Sequence, residues 1–426
     1  MARPGWRVGL VLVSAFALAL AGACGGSSVV PPSDGGRDGK PAAHDGGHDA
    51  PEHADGPSHE DAARRDDAAA DAAKDAEPKD AEPKDGPAAD AGIDSGLPAG
   101  CDTGSQGQAT ELRCTGLYAD WATKTVAANV RPYDPGLHLW SDGASKTRWI
   151  YLPPGTKIDT SNMDEWTFPP GTKIWKEFAL GGTRMETRLL WKRPIGAGSW
   201  YFTTYRWSDD GETSASELTT GQLFGADAGA ASGYEIPAQT NCYDCHGGRF
   251  DAALGFEAVA LSSPGASGVT MATLTAGDLL TDPPAAPIVI PGDAATAAAL
   301  GYLHMNCGTS CHNRGTGEAG TTAFYMRLDV ATLTSPQTTD TWTTGLNQRS
   351  YFTLPGVAQP LLFAPCDLDD NAAYYRLSHR DGVAGTPAGT QMPPIISHKV
   401  DTDGMAQVAA WLQGFPQCGA ADAGRD

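Results

Sequence analysis

The chain has 426 residues, of which 41% are hydrophobic and 19% are charged. Acidic side chains outnumber lysine and arginine by 51 to 30, which gives a net charge of −21 at pH 7. This charge argues against nucleic-acid binding, because contact with phosphates needs a basic stripe and none is present. Residues 101–426 are numerous enough for two domains.

The N-terminus has the features of a secretory signal. Arg3 and Arg7 precede the apolar stretch VGLVLVSAFALALAGA, which is too short and wrongly flanked for a membrane span. The small residues before Cys24 resemble a bacterial lipobox, which implies that Cys24 is the lipidated first residue of the mature chain. We therefore expect residues 1–24 to be a lipoprotein signal peptide and the protein to be exported. A plain cleaved signal with an incidental cysteine is the alternative.

Residues 25–100 are predicted to be a disordered tether. They contain 18 acidic and 7 basic residues, a net charge of −11, and no aromatic residue. Such a composition buries too little apolar surface to offset the conformational entropy of the chain. Charge repulsion and proline keep it extended. The tether would hold the folded region away from a lipid anchor in the bacterial envelope, in the outer membrane facing the periplasm or the cell surface.

Residues 101–235 are predicted to form a β-rich domain. In RMETRLLW, the positions of Met185, Thr187 and Leu189 alternate with charged residues, as expected of a strand. The segment PPGTKI occurs twice, at 153–158 and 169–174, and its Pro-Gly pairs suit type II turns. Short strands with frequent turns favour a β-sandwich or barrel-like fold. Eight of the eleven tryptophans lie in this region, where they serve either core packing or a sugar-binding platform.

The nine cysteines fall into three groups. Cys24 is assigned to lipid, and two close pairs belong to the motifs discussed next. An exported protein lives where disulfides persist. The bonds Cys101–Cys114 and Cys366–Cys418 would use the four that remain, although spacing alone does not fix the connectivity.

The segment NCYDCHGG contains Cys242, Cys245 and His246 in the spacing of a haem c attachment motif. Two cysteines form thioethers to the vinyl groups of the porphyrin, and the adjacent histidine reaches the iron. Residues three apart share one face of a helical turn, which brings both cysteines to the same ring. A thioredoxin-like redox pair is the alternative, but it requires a βαβ context that is missing here.

The segment YLHMNCGTSCHN carries a related pattern with one extra residue. Cys307 and Cys311 are separated by three residues, and His312 follows at once. At about 100° per residue, spacings of three and four both keep the cysteines on one face of a helix. The expectation is a second haem c site, with a local disulfide or a zinc site made by all four motif cysteines as alternatives. His304 is a further candidate iron ligand on the same helical face, with ordinary packing as its alternative.

The surroundings of the second motif favour haem. PGDAATAAALGYLHMNC predicts a helix with Asp293 as its N-cap, and DTDGMAQVAAWLQGF predicts a terminal helix. Between them, GTQMPPI presents Met392 as a soft thioether on a loop stiffened by two prolines. Helix, cysteine–histidine motif, methionine loop and terminal helix follow the order of class I cytochrome c. Met392 is therefore the expected second axial ligand, opposite His312.

The mature region as a whole resembles a bacterial family of dihaem c-type cytochromes. The resemblance rests on LWSDGASKTRWIYLPPGTKI, ETRLL, CYDCHGG, GYLHMNC and QMPPI and covers residues ~115–415. It implies an α+β multidomain chain with two covalently attached haem c groups. We expect the β-rich domain at 101–235, a first haem segment at 236–290, a mainly α class I cytochrome c-like domain at 291–418 and a tail at 419–426. The family's second motif commonly has two intervening residues, so Cys307–Cys311 departs from it.

Electron transfer between redox partner proteins is the leading functional hypothesis. A haem with histidine and methionine ligands has both axial positions filled, which favours electron passage over substrate chemistry. The alternative is a dihaem peroxidase or oxidase with an open position at the first haem, where Met271 and His304 are the candidate distal ligands. A surface binding module with structural haem is a third reading. The sequence presents no convincing nucleophile–base pair or paired acids.

Overall fold

The computed structural model describes residues 100–194, 199–225, 233–315, 317 and 319–420. The predicted signal peptide, the lipidation site Cys24, the tether up to residue 99 and residues 421–426 lie outside the described residues. In the part that is described, no helix is both long and apolar enough to cross a membrane.

Antiparallel strands dominate the first half of the described chain. Their bounds are β1 (Tyr118–Asp120), β2 (Thr125–Val126), β3 (Arg131–Asp134), β4 (Ser145–Tyr151), β5 (Lys173–Leu180), β6 (Thr183–Lys192), β7 (Trp200–Trp207), β8 (Ala215–Glu217), β9 (Gln222–Phe224), β10 (Tyr234–Ile236) and β11 (Ser267–Gly268). Seven of them form one sheet in the order β11-β3-β4-β5-β6-β7-β8. The pairs β1–β2 and β9–β10 form two small separate sheets. The expected β-rich region is therefore present, and β11 extends its sheet beyond residue 235.

The two repeated PPGTKI segments make tight turns, as predicted. The amide of Thr156 bonds to the carbonyl of Pro153, and the amide of Thr172 bonds to that of Pro169, both at 3.2 Å. Gly155 has a φ of 74° in the first turn. Glycine accepts this left-handed conformation because it has no Cβ.

The seven-stranded sheet is buried on both faces. Trp149, Trp175 and Leu189 pack on one face against the N-terminal segment that holds β1 and β2. Ile174 and Leu190 pack on the other face against residues of segment 236–290. The architecture thus differs from the sandwich or barrel expected from the sequence, because the sheet is open and loops, short helices and small strand pairs cover it.

Short helices make up most of the remaining structure. Their bounds are α1 (Cys242–His246), α2 (Ala258–Ser262), α3 (Met271–Ala276), α4 (Ala294–Leu303), α5 (Asp340–Gly345), α6 (Ala372–Ser378), α7 (Thr402–Gln413) and α8 (Pro416–Ala420). A π-helical turn, His304–Gly308, continues α4 into the second motif. Segment 236–290, which carries α1 to α3, also supplies β11 to the sheet edge and shares the sheet's core, so it is not packed apart from the β-rich region.

Helices α4 and α7 confirm the two helices predicted around the second motif. Asp293 caps α4 by accepting a hydrogen bond from the amide of Thr296 at 2.8 Å, as its sequence position indicated. The two helices approach closely where Gly404 of α7 meets the ring of Tyr302 of α4. A Cβ on Gly404 would lie 2.1 Å from Tyr302 Cε2, so only glycine allows this contact.

Two disulfides join the cysteines that lie outside the motifs. Cys101 bonds to Cys114 with a Cα–Cα distance of 5.8 Å, and Cys366 bonds to Cys418 with a Cα–Cα distance of 5.0 Å. These are the pairings expected from the sequence. The second bond links the loop before α6 to α8 and so holds the C-terminal end against the α-helical region.

Candidate functional site

The first motif forms the single helical turn α1, which lies over the charged face of the seven-stranded sheet. His246 ends this turn, and its Nδ1 is 2.5 Å from the carbonyl oxygen of Ala252. Its ring also contacts the ring of Phe202, with 4.8 Å between centroids. The hydrogen bond takes up Nδ1 and leaves Nε2 as the nitrogen that can bind a metal.

Burial also fixes the protonation state of His246. Desolvation, helped by the positive charge of Lys176, lowers the pKa of His246 to about 3. The imidazole is therefore neutral at physiological pH. A neutral imidazole with Nδ1 held by a carbonyl is the form that ligates iron.

His312 of the second motif is held in the same way. Its Nδ1 is 2.9 Å from the carbonyl oxygen of Phe324, and the Phe324 ring lies edge-on to it at 5.2 Å. Burial lowers the pKa of His312 as well. Two histidines, each directly after a motif cysteine, are thus both anchored through Nδ1 to a backbone carbonyl.

The extra residue of the second motif is absorbed by the π-helical turn. The amide of Thr309 bonds to the carbonyl of His304, and the amide of His312 bonds to that of Cys307, both at 2.8 Å and both across five residues. A π-turn closes one residue later than an α-turn. Cys307 lies in this turn and Cys311 lies three residues after its end, where the Cys311 amide also bonds to the Cys307 carbonyl at 3.3 Å. The backbone thus stays helically hydrogen-bonded from Cys307 to His312.

The two motifs touch each other directly. A Cβ on Gly248 would lie only 1.6 Å from the carbonyl oxygen of Ser310, so the backbones meet at a position that only glycine allows. Asn313, fully buried, donates a hydrogen bond to the Gly248 carbonyl at 3.2 Å and another to the Gly308 carbonyl at 3.1 Å. Among the sequence-based expectations, the four-cysteine zinc alternative required the motifs to be neighbours.

The motif cysteines take no part in the two disulfides. Burial raises the pKa of Cys242 and Cys245, and it raises the pKa of Cys307 to about 12. A redox-active pair needs a lowered pKa, so these thiols do not fit the thioredoxin-like alternative. Among the residues the structure describes, no three histidine, cysteine or acidic side chains are grouped closely enough to hold a metal ion.

The second motif opens onto an apolar cavity of about 320 Å³. Its lining includes Cys307, Cys311 and His312 of the second motif as well as Met392. The remaining walls are largely hydrophobic, with Met326, Phe324, Phe352, Leu362, Phe363 and Leu377 among them. The cavity thus brings together the second-motif residues and the methionine singled out from the sequence.

The loop that carries Met392 is held by buried polar contacts. The Met392 amide bonds to the carbonyl of Arg376 at 2.9 Å. The buried side chain of Gln391 donates to the carbonyls of Pro393 and Ser397 at 2.9 and 3.2 Å. Arg380 also donates to the carbonyl of Met392 at 3.4 Å. These hydrogen bonds hold the loop in place and so fix the position of the Met392 backbone.

The first motif lines a different cavity, of about 180 Å³. Cys245 and His246 form part of its wall, and Cys311 of the second motif reaches it too. Met305 is the methionine among its lining residues. Lys146, Arg148, Lys176 and Arg188 from the sheet complete a strongly cationic wall. Burial, together with the charges of Arg148 and Arg188, lowers the pKa of Lys176 to about 7.

His304 and Met271, the distal ligands considered from the sequence, have other roles in this structure. His304 is fully buried; its Nδ1 accepts a hydrogen bond from the Leu328 amide at 2.9 Å, and its Nε2 is 3.4 Å from Glu257 Oε1. Both ring nitrogens are thus engaged, which supports the packing alternative over iron ligation. Met271 belongs to the core shared with the sheet and lines a separate cavity with Leu261.

The tryptophans of the β-rich region serve mainly as core. Five of the eight are less than a tenth exposed: Trp149, Trp166, Trp175, Trp200 and Trp207. Burying a large aromatic side chain of this kind stabilises a fold by roughly 1.5–3 kcal/mol. This result supports core packing rather than a sugar-binding platform.

No family model, curated protein or solved structure matches the chain.

Sequence reasoning missed two features of the first cavity. Met305 lies two residues before Cys307, and the sequence pattern predicts only that it belongs to a helix. The cationic wall comes from three separate strands, so it depends on strand register. The alternation in RMETRLLW indicated that this strand has one charged face and one apolar face. A charged strand face lies against either solvent or a charged ligand.

Proposed function

We propose that the chain is an envelope-anchored dihaem c-type cytochrome that transfers electrons. The observation that carries this proposal is the direct packing of two cysteine–histidine motifs whose histidines are anchored identically through Nδ1. Haem c supplies a one-electron iron couple when bound. Two such groups held by touching motifs would form a short relay through one chain.

The donor set of each site fits haem c. Cys242 and Cys245 would attach the first group and Cys307 and Cys311 the second, with His246 and His312 as axial ligands. A neutral imidazole nitrogen and a thioether are typical haem ligands. Cys307 and Cys311 both line the second cavity in spite of the extra residue between them. The largely apolar lining of that cavity suits the porphyrin ring of a haem.

The protein's own residues set the properties of the second site. Met392 lines the same cavity as the motif and is proposed as the sixth ligand, which raises the reduction potential. The carbonyl of Phe324 orients His312 and increases its basicity. The hydrogen bonds of Gln391 and Arg380 hold loop 389–399, which carries the thioether, in place. A filled axial position favours electron transfer over substrate turnover.

At the first site, Met305 is the candidate sixth ligand, since it lines the same cavity as His246. If Met305 ligates the iron, both sites are electron-transfer sites. A dihaem peroxidase, the alternative, requires an open position at the first haem.

The location follows from the predicted signal. Lipidation at Cys24 would anchor the protein to the membrane, and the acidic tether would let the folded region reach redox partner proteins. Substituting Cys24 with serine in the native host is expected to release the protein from membranes. If the variant stays bound in high salt, the anchor lies elsewhere.

Haem content is the decisive test. The protein is produced in a host with c-type cytochrome maturation and examined by intact mass and pyridine haemochrome spectroscopy. Two haem additions are expected, and Cys242→Ala/Cys245→Ala should lose one of them. Cys101→Ala/Cys114→Ala, which removes a disulfide instead, should retain both. A chain without a Soret band that binds zinc would overturn the proposal.

A further inference from the structure

Three cations stand side by side across the middle of the sheet. In the register of β4, β5 and β6, Arg148 is paired with Lys176, and Lys176 is paired with Arg188. Like charges directly opposite each other on neighbouring strands destabilise a sheet. A fourth cation, Lys146, lies on the same face of β4, two residues from Arg148. We call these four residues the cation row.

The cation row is largely buried, which makes its charge more costly. Arg148 is 6% exposed and Lys176 is 8% exposed. A buried charge is tolerated when it is paired or when it contacts a ligand of opposite sign. The charge that remains on the row depends on which acidic side chains contact it.

Two members of the row have carboxylate partners. Arg148 forms an ion pair with Asp134 at 2.6 Å, and Arg188 forms a bidentate ion pair with Glu186 at 2.8 and 2.6 Å. Glu186 also accepts a hydrogen bond from the Tyr234 hydroxyl at 2.6 Å. These pairs neutralise two of the four positive charges.

The two lysines of the row contact backbone carbonyls. Lys176 donates to the carbonyl of Leu254 at 2.7 Å, and Lys146 donates to that of Leu139. The other acids that line the cavity are committed elsewhere. Asp142 accepts the amides of His398 and Lys399, and Glu235 contacts the His398 ring at 2.8 Å.

Lys146 and Lys176, whose ammonium groups are hydrogen-bonded to backbone carbonyls rather than to carboxylates, both line the first cavity together with Cys245 and His246. Apolar groups such as Leu137, Met305 and Pro393 line the same cavity. A ligand with an apolar body and carboxylates at one edge suits this combination of residues. A haem has this form, because its two propionates project from one side of the ring.

We propose that Lys146 and Lys176 bind the two propionate carboxylates of the haem attached to Cys242 and Cys245. This inference rests on the proposed function and assigns the sheet an electrostatic role in the first haem site. The β-rich region would then be half of that site rather than a separate module. Each lysine would form a charge-assisted hydrogen bond to one carboxylate.

The test uses the full holoprotein with single substitutions Lys146→Met and Lys176→Met, which keep most of the apolar stem. Lys173→Met is the matched control, because Lys173 lies on the same strand as Lys176 but on the opposite face, where it donates to the Thr115 carbonyl at 2.7 Å. Haem number, circular dichroism and the reduction potentials of both haems are measured in each variant.

In Lys146→Met and Lys176→Met, two haems should remain, since the attachment is covalent. One reduction potential should fall, because an unneutralised carboxylate near the iron favours the ferric state. We expect about a tenfold change in the reduction equilibrium, which corresponds to about 59 mV for one electron. The other potential and that of Lys173→Met should stay near the wild-type values, and Lys176→Arg should restore the potential that Lys176→Met lowers.

Titration with acetate and with inorganic phosphate distinguishes propionates from a diffusible anion. If propionates occupy the row, neither anion should give a saturable shift of the first haem's spectrum or potential. A saturable shift that disappears in Lys176→Met would overturn the proposal in favour of a diffusible anion. Two haems with unchanged potentials in both lysine variants would overturn it while leaving the dihaem function intact. The absence of haem from Cys242 and Cys245 in the wild type would overturn both.

Discussion

Asn313 donates a hydrogen bond to the carbonyl of Gly248 across 65 residues of sequence, and this contact joins the two cysteine–histidine motifs. Its Nδ2 also reaches the Gly308 carbonyl, and its Oδ1 accepts the amides of Gly315 and Gly317 at 3.0 and 3.2 Å. One buried amide thus ties the π-turn, the loop after His312 and the first motif together. The relative position of the two proposed haems depends on it.

Asn313→Ala is expected to destabilise the protein by roughly 2–4 kcal/mol, because it leaves several buried backbone groups without their partner. Urea unfolding measures the effect. Asn162→Ala is the control, since Asn162 is exposed and its side chain makes one local hydrogen bond, to the Asp164 amide. Equal unfolding midpoints for the two variants would contradict this role of Asn313.

Gly248→Ala should disturb the same contact from the other side. The added Cβ would meet the Ser310 carbonyl oxygen at 1.6 Å, so one of the two backbones has to move. Overpacking of this kind typically costs about 1–3 kcal/mol or more. Gly419→Ala adds a methyl where nothing lies within 4 Å and should leave the thermal midpoint unchanged. A Gly248→Ala protein as stable as the control would show that the motifs can separate freely.

Deleting Thr309 restores two residues between the cysteines, yet it should impair the second site. Thr309 is fully buried; its amide closes the π-turn, and its hydroxyl donates to the Met305 carbonyl at 2.9 Å. Without it, His312 would be displaced from the carbonyl of Phe324. Lower haem occupancy by intact mass and a lower thermal midpoint are expected, whereas Thr309→Ser should behave like the wild type. A fully loaded, stable deletion variant would disprove the structural role of the extra residue.

Met392→Ala should open one axial position without releasing the haem. The potential of the second haem should fall, the weak near-infrared band of methionine ligation should be lost, and exogenous ligands should bind. Met326→Ala removes a different thioether from the same cavity and serves as the control. Met305→Ala should change the first haem instead, if Met305 is its ligand. A spectrum unaltered by Met392→Ala in a two-haem protein would exclude Met392.

Glu257 should make the fold sensitive to acid. Burial alone would raise its pKa, but the hydrogen bond from His304, the charge of Arg249 and the amide of Ala260 lower the pKa of Glu257 to about 2. The unfolded chain takes up this proton near pH 4.5, so the stabilisation is complete above that pH and is lost as the pH falls towards 2. Unfolding free energies of wild type and Glu257→Gln should converge over this window. A constant difference between them from pH 7 to pH 3 would contradict the assignment.

The local patterns of the sequence predicted the local structure well. The N-cap of α4 and the apolar stripe of α7 follow from contacts within a few residues, as do the glycine turns at Gly155 and Gly171. In α7, Met405, Val408 and Leu412 are buried along the expected stripe. These features depend on helix period and backbone sterics, which the sequence carries directly.

The features that depend on distant pairing could not be predicted. The cation row exists because three strands align in one register, and a shift of one residue would turn Lys176 to the other face. The contact between Gly248 and Ser310 depends on how segment 236–290 lies against the end of α4. Alternation in β6 showed that one strand face was charged, but not what lay opposite it.

The two disulfides require four of the described cysteines to pair with each other while the four motif cysteines stay out of disulfides. If the protein is exported as proposed, the eight cysteines of the described region enter one oxidising compartment, where Cys101 and Cys114 lie 13 residues apart and Cys366 pairs with Cys418 across 52 residues. Cys307 and Cys311 lie between these two pairs in the chain. The proposed haem attachment therefore requires the motif thiols to be reduced while the two disulfides survive, and Cys114, only 2% exposed, is poorly accessible to a reductant.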